Sequence, residues 1–532
     1  MHEARPAGGP HHTRSTSRAL PRPESARTPD AWTKDSCKTQ GKTGKGAFPA
    51  AQQRKSAPRT TLGCIRLGCR KQGRVDEVRM SNTIGTRSIY RDCLIVGFAM
   101  FAVFFGAGNL IFPPQIGFVA GAGWAKALCG LLLTGMLLPV LTVIALGLCG
   151  GSVERLTAPI ASWFGSALLF VSLVFLAWMI AVPRTASVAF ETGFMTLAPS
   201  LNAHICVWIF IPLFFAVTIY FALDRSNVID RIGRILTPLL LGLLGIIVIW
   251  SVLAPLGTPV DTGVAGAAPF GMGLITGYQT GDVFGGLMFG IIFIEAVRDR
   301  GYTDKTGFKT VLFGAAVVTF FGLLFVYGGL EYLGATGSGV LGSDVTQANL
   351  LTRLVAELAG RFGANALAIA VVLACLTTAV GATAVLAKYI VQWSGGRVSY
   401  RAGVWFVSLT SLVQSFGGVD HIVALAEPFF RLFYPAGICI VLLGILSCFF
   451  TNDGVWKGAT LMAILMGFVD LILSVSGKMG IVVPTHLQAF YDALPLSSVG
   501  FAWLVPAIIG GVLGGVWWQI AGMPNVSHVD TF

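Results

Sequence analysis

The feature that most constrains this chain is the recurrence of uncharged apolar runs of about 20 residues, which begin at Leu94 and continue almost to the C-terminus. A helix needs about 20 such residues to cross roughly 30 Å of hydrocarbon. Only 12% of the 532 residues are charged, 54% are apolar, and the mean hydropathy is +0.74. Soluble domains do not have this composition. The sequence therefore predicts an all-α polytopic membrane protein.

The net charge of +12 is concentrated in the N-terminal segment 1–79, which has 17 Lys and Arg against 6 Asp and Glu. The segment is rich in Pro, Gly, Ser and Thr and has no helical periodicity, so we expect it to be disordered. One interpretation is a contact with anionic lipid or nucleic acid. The other, which we favour, is a translated upstream region with initiation at Met80. Charge nearly balances in the rest of the chain, so we expect no nucleic-acid partner.

The apolar runs, separated by turn-forming and charged residues, predict twelve membrane spans. They lie near residues 90–112, 124–149, 163–193, 203–223, 228–254, 273–297, 306–335, 361–393, 402–416, 420–449, 457–476 and 498–521. After position 79, 14 Lys and Arg residues fall on one side of the predicted membrane and four on the other. We therefore expect both termini on the cytoplasmic side of the plasma (inner) membrane. The longest polar connection, 331–361, would be external, either as a gating element or as a passive loop.

The stretch Phe104–Trp124, FFGAGNLIFPPQIGFVAGAGW, places glycines, Asn109 and two prolines within the first apolar run. Unpaired backbone groups cost several kcal/mol each in hydrocarbon, so a broken helix persists only beside a polar cavity. Pro113 and Pro114 suit the first turn of a restarted helix, which needs no N–H donors. The N–H groups around Ala107 would then face an anionic group, and the carbonyls that end the inner half suit a small cation.

The sixth span repeats this pattern in GDVFGGLMFGIIF, where Gly285, Gly286 and Gly290 interrupt it. Two breaks five spans apart indicate two five-span repeats, and the odd number forces the second repeat to enter from the opposite face. The sequence thus predicts a 5+5 inverted repeat over residues 80–449, with a substrate site at the repeat interface. Two additional helices and a short tail would follow at 450–532. The alternative is that these glycines only let helices pack closely.

Five segments, in order along the chain, resemble the branched-chain amino acid:cation symporters, the LIVCS family: FFGAGNLIFPP, AVPRTASVAFETG, GYQTGDVFGGLMFG, ACLTTAVGATAVLAKYI and FYPAGICIVL. The resemblance runs from about Ser88 to Trp518. It implies membership of the amino acid-polyamine-organocation superfamily and the leucine-transporter fold, with broken helices 1 and 6. It also implies uptake of leucine, isoleucine and valine with sodium, or with protons, and no cofactor besides the coupling ion.

The resemblance further implies which residues form the site. The substrate carboxylate would rest on N–H groups of the first break, and its side chain would lie against the sixth span. These substrate residues are Gly106, Ala107, Gly108, Gly285, Gly286 and Phe289. Uncharged oxygens, which suit a hard monovalent ion rather than a transition metal, would hold sodium. These cation residues are Ala102, Phe105, Asn109, Ala374, Thr377 and Thr378.

Two of these roles have a plain structural alternative. The spacer between Asn109 and the prolines is one residue shorter than in the fold's usual pattern, and Asn109 would instead cap the restarted helix. The hydroxyls of Thr377 and Thr378 would instead bond back to carbonyl groups four residues earlier.

Four ionisable residues within the predicted spans are candidate gates or proton carriers, because charge in a membrane span is by default functional. Asp282, at the outer end of the sixth span, matches the family's Asp, although it also suits a helix cap. Glu295 would carry a proton as the coupled ion or pair with Arg298 at i,i+3. Arg184 and Glu191, seven residues apart on one face of the third span, would form a gate or, as we favour, a structural bridge.

Two other classes of function fit the sequence less well. A gated channel would need a polar-lined face in several spans, which the apolar runs do not show. An integral membrane enzyme would need nucleophile–base or metal-ligand clusters, yet His204, His421 and His486 occur singly near span ends. The sequence therefore predicts a secondary transporter, whose partners are a small-molecule substrate and the lipid bilayer. It leaves the oligomeric state open.

Overall fold

The computed structural model describes residues 86–106, 109–223, 228–264, 266, 268–342, 345–481 and 483–525, so the N-terminal segment 1–79 lies outside the described residues. Regular structure in the described part is helical throughout. The helices are α1 Thr86–Phe104, α2 Phe112–Ala120, α3 residues 124–148, α4 Val153–Thr157, α5 Phe164–Leu197, α6 Ala203–Leu223, α7 Val228–Leu253, α8 Ala268–Thr280, α9 Asp282–Asp299, α10 Lys305–Gly337, α11 Gln347–Trp393, α12 Tyr400–Ser415, α13 Gly418–Ile445, α14 Asp453–Met479, α15 Thr485–Asp492 and α16 Leu504–Ile520.

Most of these helices coincide with predicted spans, because long uncharged apolar runs are stable in lipid only as helices. α6, for example, covers the fourth predicted span, 203–223, residue for residue. Within the described residues, seven helices are long and apolar enough to cross a membrane, and the bent pair of α8 and α9 makes up to eight. The chain is therefore an all-helical polytopic membrane protein. The number twelve and the inverted repeat stay predictions.

The first predicted span is interrupted at its glycines and prolines. α1 ends at Phe104 and α2 begins at Phe112, with proline in the first turn of α2. α2 in turn ends at Gly121, whose positive φ of 49° turns the chain directly towards α3. The broken span thus consists of two short helices joined by residues 105–111.

The break in the sixth span lies at Gly281, which corrects the position that the later glycines predict. Gly281 has a φ of 76°, and α8 and α9 meet there at 44°. Gly285, Gly286 and Gly290 all continue α9 without interruption. A Cβ at Gly286 or Gly290 would crowd side chains of α3, whereas a Cβ at Gly285 would meet nothing within 4 Å. Two of the three glycines therefore serve helix packing, which was the alternative interpretation.

Most of the segment 331–361 is helical, which corrects the predicted polar loop. α10 continues to Gly337 and contains Glu331, which is completely buried. α11 begins at Gln347 and turns sharply at Gly360, where φ is 68°. Only residues 338–346 connect the two helices. The prediction fails because a charged residue normally marks the end of a membrane span. Glu331 lies inside α10 instead, where the protein interior shields it from lipid.

Close backbone contact joins α2 to α10. A Cβ at Gly117 would overlap the carbonyl oxygen of Glu331, and a Cβ at Gly334 would overlap the carbonyl oxygen of Pro114. Small residues permit this approach in membranes, where helices associate largely through van der Waals packing. The second half of the broken first span is thereby held against α10.

We predict that Gly117→Ala destabilises the protein, because its methyl group would meet backbone atoms that cannot move aside. Overpacking of this kind costs about 1–3 kcal/mol. Thermal melting of the purified protein in detergent measures the effect. Gly242→Ala in α7 is the matched control, since its Cβ meets nothing within 4 Å, and alanine there should raise stability by up to about 1 kcal/mol. Equal melting temperatures for the two variants would contradict the close contact.

Candidate functional site

Described backbone groups at the edges of the first break have hydrogen-bond partners. The carbonyl oxygen of Phe104, the last residue of α1, accepts hydrogen bonds from Gly106 N at 2.9 Å and from the Tyr327 hydroxyl at 3.3 Å. The side-chain amide of Asn109 donates to the same oxygen at 3.4 Å, while its backbone N donates to Gly106 O at 2.8 Å. The described backbone groups on either side of the break are therefore hydrogen-bonded, as buried backbone among apolar helices requires.

Three buried polar side chains meet between the two breaks, and we call Asn109, Arg184 and Asp282 the polar bridge. Asn109 Nδ2 lies 3.0 and 3.1 Å from the two carboxylate oxygens of Asp282. Asn109 Oδ1 accepts a hydrogen bond from Arg184 Nη2 at 3.0 Å. The three residues are only 4%, 6% and 9% exposed. The amide thus links an anion to a cation, and the two charged partners determine its orientation.

Arg184 reaches the polar bridge from the middle of α5 and contacts both broken spans. Its Nη1 donates to the carbonyl oxygen of Gln279, near the end of α8, at 3.2 Å. Its guanidinium carbon lies 5.4 Å from the ring centroid of Phe112, the first residue of α2, which is a cation–π contact. Its Nε is buried without a hydrogen-bond partner among the described residues. Movement of either broken span would therefore change the surroundings of this side chain.

Arg184 does not pair with Glu191, so the favoured structural bridge is wrong. The seven-residue spacing places them on one face only in a regular α-helix, whereas α5 contains π-helical turns at Ser172–Ala181 and Ala189–Phe194. Glu191 Oε1 instead accepts a hydrogen bond from Val419 N at 2.9 Å. It therefore satisfies an orphan N–H at the start of α13, where a negative charge also complements the helix dipole.

Asp282 and Glu295 lie in opposite surroundings on α9. Asp282 is the first residue of α9 and lies midway along the broken sixth span, which corrects the predicted position at the outer end of that span. Glu295 is exposed near the end of the same helix. Its predicted partner Arg298 has its guanidinium carbon 5.6 Å from the ring centroid of Phe308. Only Asp282 takes part in the polar bridge.

The residues predicted to bind substrate are only partly described. Ala107 and Gly108 lie outside the described residues, and their neighbour Gly106 is half-buried. Gly285 and Phe289, one turn apart on α9, are also half-buried, and open space lies beside Gly285. The substrate role of these residues stays a prediction.

The predicted sodium ligands lie in α1, in the first break that follows it and in α11. The hydroxyls of Thr377 and Thr378 both donate to Ala374 O at 2.9 Å, which is the back-bonding that the alternative interpretation expects. Ala102 is half-buried, and Phe105 is buried at the end of the first half-span. Their role as cation ligands stays a prediction.

The side-chain oxygen of Asn109 already has a cationic partner. The resemblance assigns this oxygen to sodium, whereas the structure places the guanidinium of Arg184 against it. The helix-cap alternative is not observed either, because the side chain bonds to Phe104 O, Asp282 and Arg184. Sequence reasoning identified Asn109 and Asp282 separately but missed the bond between them.

Aromatic side chains support the start of α9. The hydroxyl of Tyr434 accepts a hydrogen bond from Val283 N at 3.3 Å, and the ring of Tyr434 stacks on Tyr278 with centroids 4.6 Å apart. Trp503 Nε1 donates to the Tyr278 hydroxyl at 3.3 Å. These residues were also missed from the sequence. Their residue types could have indicated them, because buried tyrosine and tryptophan side chains need polar partners.

We predict that Arg184→Gln destabilises the protein, because it leaves the buried carboxylate of Asp282 without a nearby positive charge. Removing one partner of a buried charge pair costs about 3–5 kcal/mol. The double variant Arg184→Gln, Asp282→Asn removes both charges and should recover much of that loss. Thermal melting of both single variants and the double variant measures the coupling. Additive effects would show that the two charges do not interact, and Arg361→Gln, at an exposed arginine, serves as the control.

Comparisons with known proteins identify the family of this chain. Residues 89–521 match a family model described as "Branched-chain amino acid transport protein". The chain is 33% identical over 429 residues to the branched-chain amino acid permease BraB of Bacillus subtilis (strain 168), covering 80% of this chain and 95% of that protein. It is 35% identical over 437 residues to the branched-chain amino acid transport system 2 carrier protein of Pseudomonas aeruginosa, covering 82% and 98%.

A solved structure shows the same fold at low sequence identity. A mutant of the Eremococcus coleocola manganese transporter matches with a TM-score of 0.50 and 13% identity, covering 82% of this chain and 95% of that chain. The family predicted from the five sequence segments is confirmed. The chain belongs to the branched-chain amino acid transport protein family and is a transporter, not an enzyme.

Proposed function

We propose that this protein takes up leucine, isoleucine and valine by secondary active transport, coupled to the entry of a cation. The family and the names of the relatives support the substrate class. The observation that carries the proposal is the polar bridge, in which an amide beside one broken span bonds to a carboxylate of the other. Broken helices that meet at a buried polar cluster are the arrangement that transporters use to bind charged solutes.

The substrate would lie beside the polar bridge. Its carboxylate would rest on the N–H groups of Ala107 and Gly108, and its side chain would lie against Phe289 and the open space beside Gly285. Leucine has three more carbons than alanine, so burying them contributes roughly 2 kcal/mol at about 0.8 kcal/mol per CH₂. Such a pocket separates leucine from alanine but not from isoleucine.

Alternating access would exploit the two breaks. In this proposal the chain has twelve spans, its core is a 5+5 inverted repeat, and both termini are cytoplasmic in the plasma membrane. The two halves of the first span are separate helices, α1 and α2, so each half can tilt separately. Arg184 contacts the second half at Phe112 and the sixth span at Gln279. It would therefore make the position of one broken span depend on that of the other.

Sodium is the coupling ion that the resemblance implies. It would bind oxygens of Ala102, Phe105, Ala374, Thr377 and Thr378, once the threonine hydroxyls turn away from Ala374 O. One positive charge that enters down the membrane potential supplies about 2.3 kcal/mol per 100 mV, so no nucleotide is required. A proton is the second candidate, because Glu331 is completely buried without a hydrogen-bond partner for either carboxyl oxygen among the described residues.

We predict that proteoliposomes containing the full chain accumulate radiolabelled leucine when an inward sodium or proton gradient is imposed. An interior-negative potential should increase accumulation, and isoleucine and valine should compete better than alanine. Separate sodium and proton gradients identify the coupling ion. Uptake indifferent to both gradients would contradict coupling. Conductance without saturable, stereospecific uptake would indicate a gated channel instead.

We predict that Thr378→Ala weakens sodium affinity more than leucine affinity, because it removes an oxygen of the proposed cation site. Losing a hydrogen-bond-type contact to a charged group costs about 1.5–3 kcal/mol, or roughly tenfold or more in the sodium concentration at half-maximal uptake. Thr310→Ala is the matched control, because Thr310 is exposed and bonds to Thr306 O at 2.8 Å in the same i−4 manner. A larger loss of leucine affinity than of sodium affinity would count against the site.

A further inference from the structure

Glu331 is a buried carboxyl group that the sodium scheme does not use. It is 0% exposed, and neither Oε1 nor Oε2 has a hydrogen-bond partner within the described part of the chain. An ionised carboxylate without a partner is extremely costly in a low-dielectric interior, so such a group takes up a proton instead. Ionisable residues inside membrane spans are rare because of this cost and are functional sites by default.

The position of Glu331 connects it to the first break. Glu331 lies one turn after Tyr327 on α10, and the Tyr327 hydroxyl bonds to Phe104 O at the break. Helical side chains lean towards the helix N-terminus, so the Glu331 side chain leans towards the level of Tyr327. The backbone of Glu331 is covered by Gly117 of α2. The backbone that carries this carboxyl group is therefore packed directly against a helix that belongs to a broken span.

The helices packed around this end of α10 bring little charge. α2 has no ionisable residue, and neither do the described side chains of α7. The ionisable groups on the other neighbours near this end of α10 are Lys126 and Cys129 of α3, Arg353 and Glu357 of α11, and Asp282 of α9. The first four are exposed, and Asp282 is bonded to Asn109. α1 places its ionisable residues at the opposite end of α10, where Cys93 Sγ lies 3.9 Å from Thr310 O.

We propose that Glu331 is the proton-binding group of this transporter: it holds a proton while α2 is packed against α10, and it exchanges that proton with water when α2 moves away from α10. A proton from water adds to one carboxylate oxygen while the group is open to one side. It is carried as a buried neutral carboxyl and returns to water on the other side. This inference rests on the proposed function, because it assigns a coupled ion to the uptake of branched-chain amino acids.

Two other carboxyl groups, those of Glu295 and Asp282 on α9, meet the requirements of a coupling group less well. A coupling group must be shielded from water in one state, since a proton that exchanges freely cannot be coupled to substrate. Glu295 is exposed in the described structure. Both carboxylate oxygens of Asp282 accept hydrogen bonds from Asn109, which in turn bonds to the cationic Arg184. Asp282 therefore has hydrogen-bond partners and a nearby guanidinium that offset part of the cost of burial, whereas Glu331 has no such partner among the described residues.

The test compares Glu331→Gln with the wild type in proteoliposomes, because glutamine resembles the neutral carboxyl in size and should be accommodated. With an inward proton gradient, we expect leucine accumulation to fall to about the equilibrium ratio of 1 in the variant. Leucine counterflow without a gradient should continue, which also shows that the variant folds. Proton uptake on leucine addition, followed with a pH-sensitive dye, should disappear. Glu357→Gln is the matched control, because Glu357 is exposed on the neighbouring α11, and it should retain all three properties.

Several outcomes would overturn the assignment. The assignment is overturned if Glu331→Gln still accumulates leucine on a proton gradient. It is also overturned if Glu295→Gln loses this accumulation while Glu331→Gln retains it. Wild-type accumulation on a sodium gradient but not on a proton gradient also overturns it, while leaving the proposed function in place. Absence of leucine uptake by the wild type contradicts the proposed function itself.

If Glu331→Gln also loses leucine counterflow, a second measurement tests the assignment of Glu331. Leucine affinity of the purified protein is then compared between acidic and alkaline pH. The wild type should bind leucine more weakly at alkaline pH, because the carrier then lacks its proton, and the variant should show no such dependence. An unchanged pH dependence in the variant would overturn the assignment.

Discussion

The hydrogen bonds that Asn109 makes with Asp282 and Arg184 are the interaction on which the transport core depends. A primary amide carries donors on one atom and an acceptor on the other, so it can face an anion and a cation at once. Here the anion begins α9 and the cation comes from α5, while the amide itself lies in the first break. Each broken span thus supplies polar partners that the other needs. Without these hydrogen bonds, the charged groups would be buried with neither polar partners nor water to stabilise them.

The same constraint separates two carboxyl groups that look alike in sequence. Asp282 receives two hydrogen bonds and has a guanidinium nearby, so its surroundings offset part of the cost of burying a charge. Glu331 is surrounded by helices that provide neither donor nor counter-charge in the described residues, so its surroundings favour the neutral form. One group can hold the broken spans together, and the other can exchange a proton with the solvent. Their different environments, rather than their residue types, separate these roles.

Sequence reasoning succeeded where local chemistry determines structure. Apolar runs predict the helices because lipid leaves few alternatives for the backbone, and α6 was located residue for residue. The first break was also predictable, since adjacent prolines at 113 and 114 cannot continue a helix. The second break was misplaced, because glycine permits a positive φ without requiring it. Gly281 adopts φ of 76°, whereas Gly285 and Gly286 remain helical.

By itself, then, the sequence determined the membrane class, most helix positions, the family and the individual polar residues of the site. Only the tertiary structure decided which of those residues meet. Arg184 bonds to Asn109 rather than to Glu191, because π-helical turns in α5 place residues seven positions apart on different faces of the helix. Glu331 is interior rather than at a span end, because glycines of α2 and α10 let the two backbones meet. Both outcomes depend on contacts between helices distant in sequence, and no local pattern along one helix contains them.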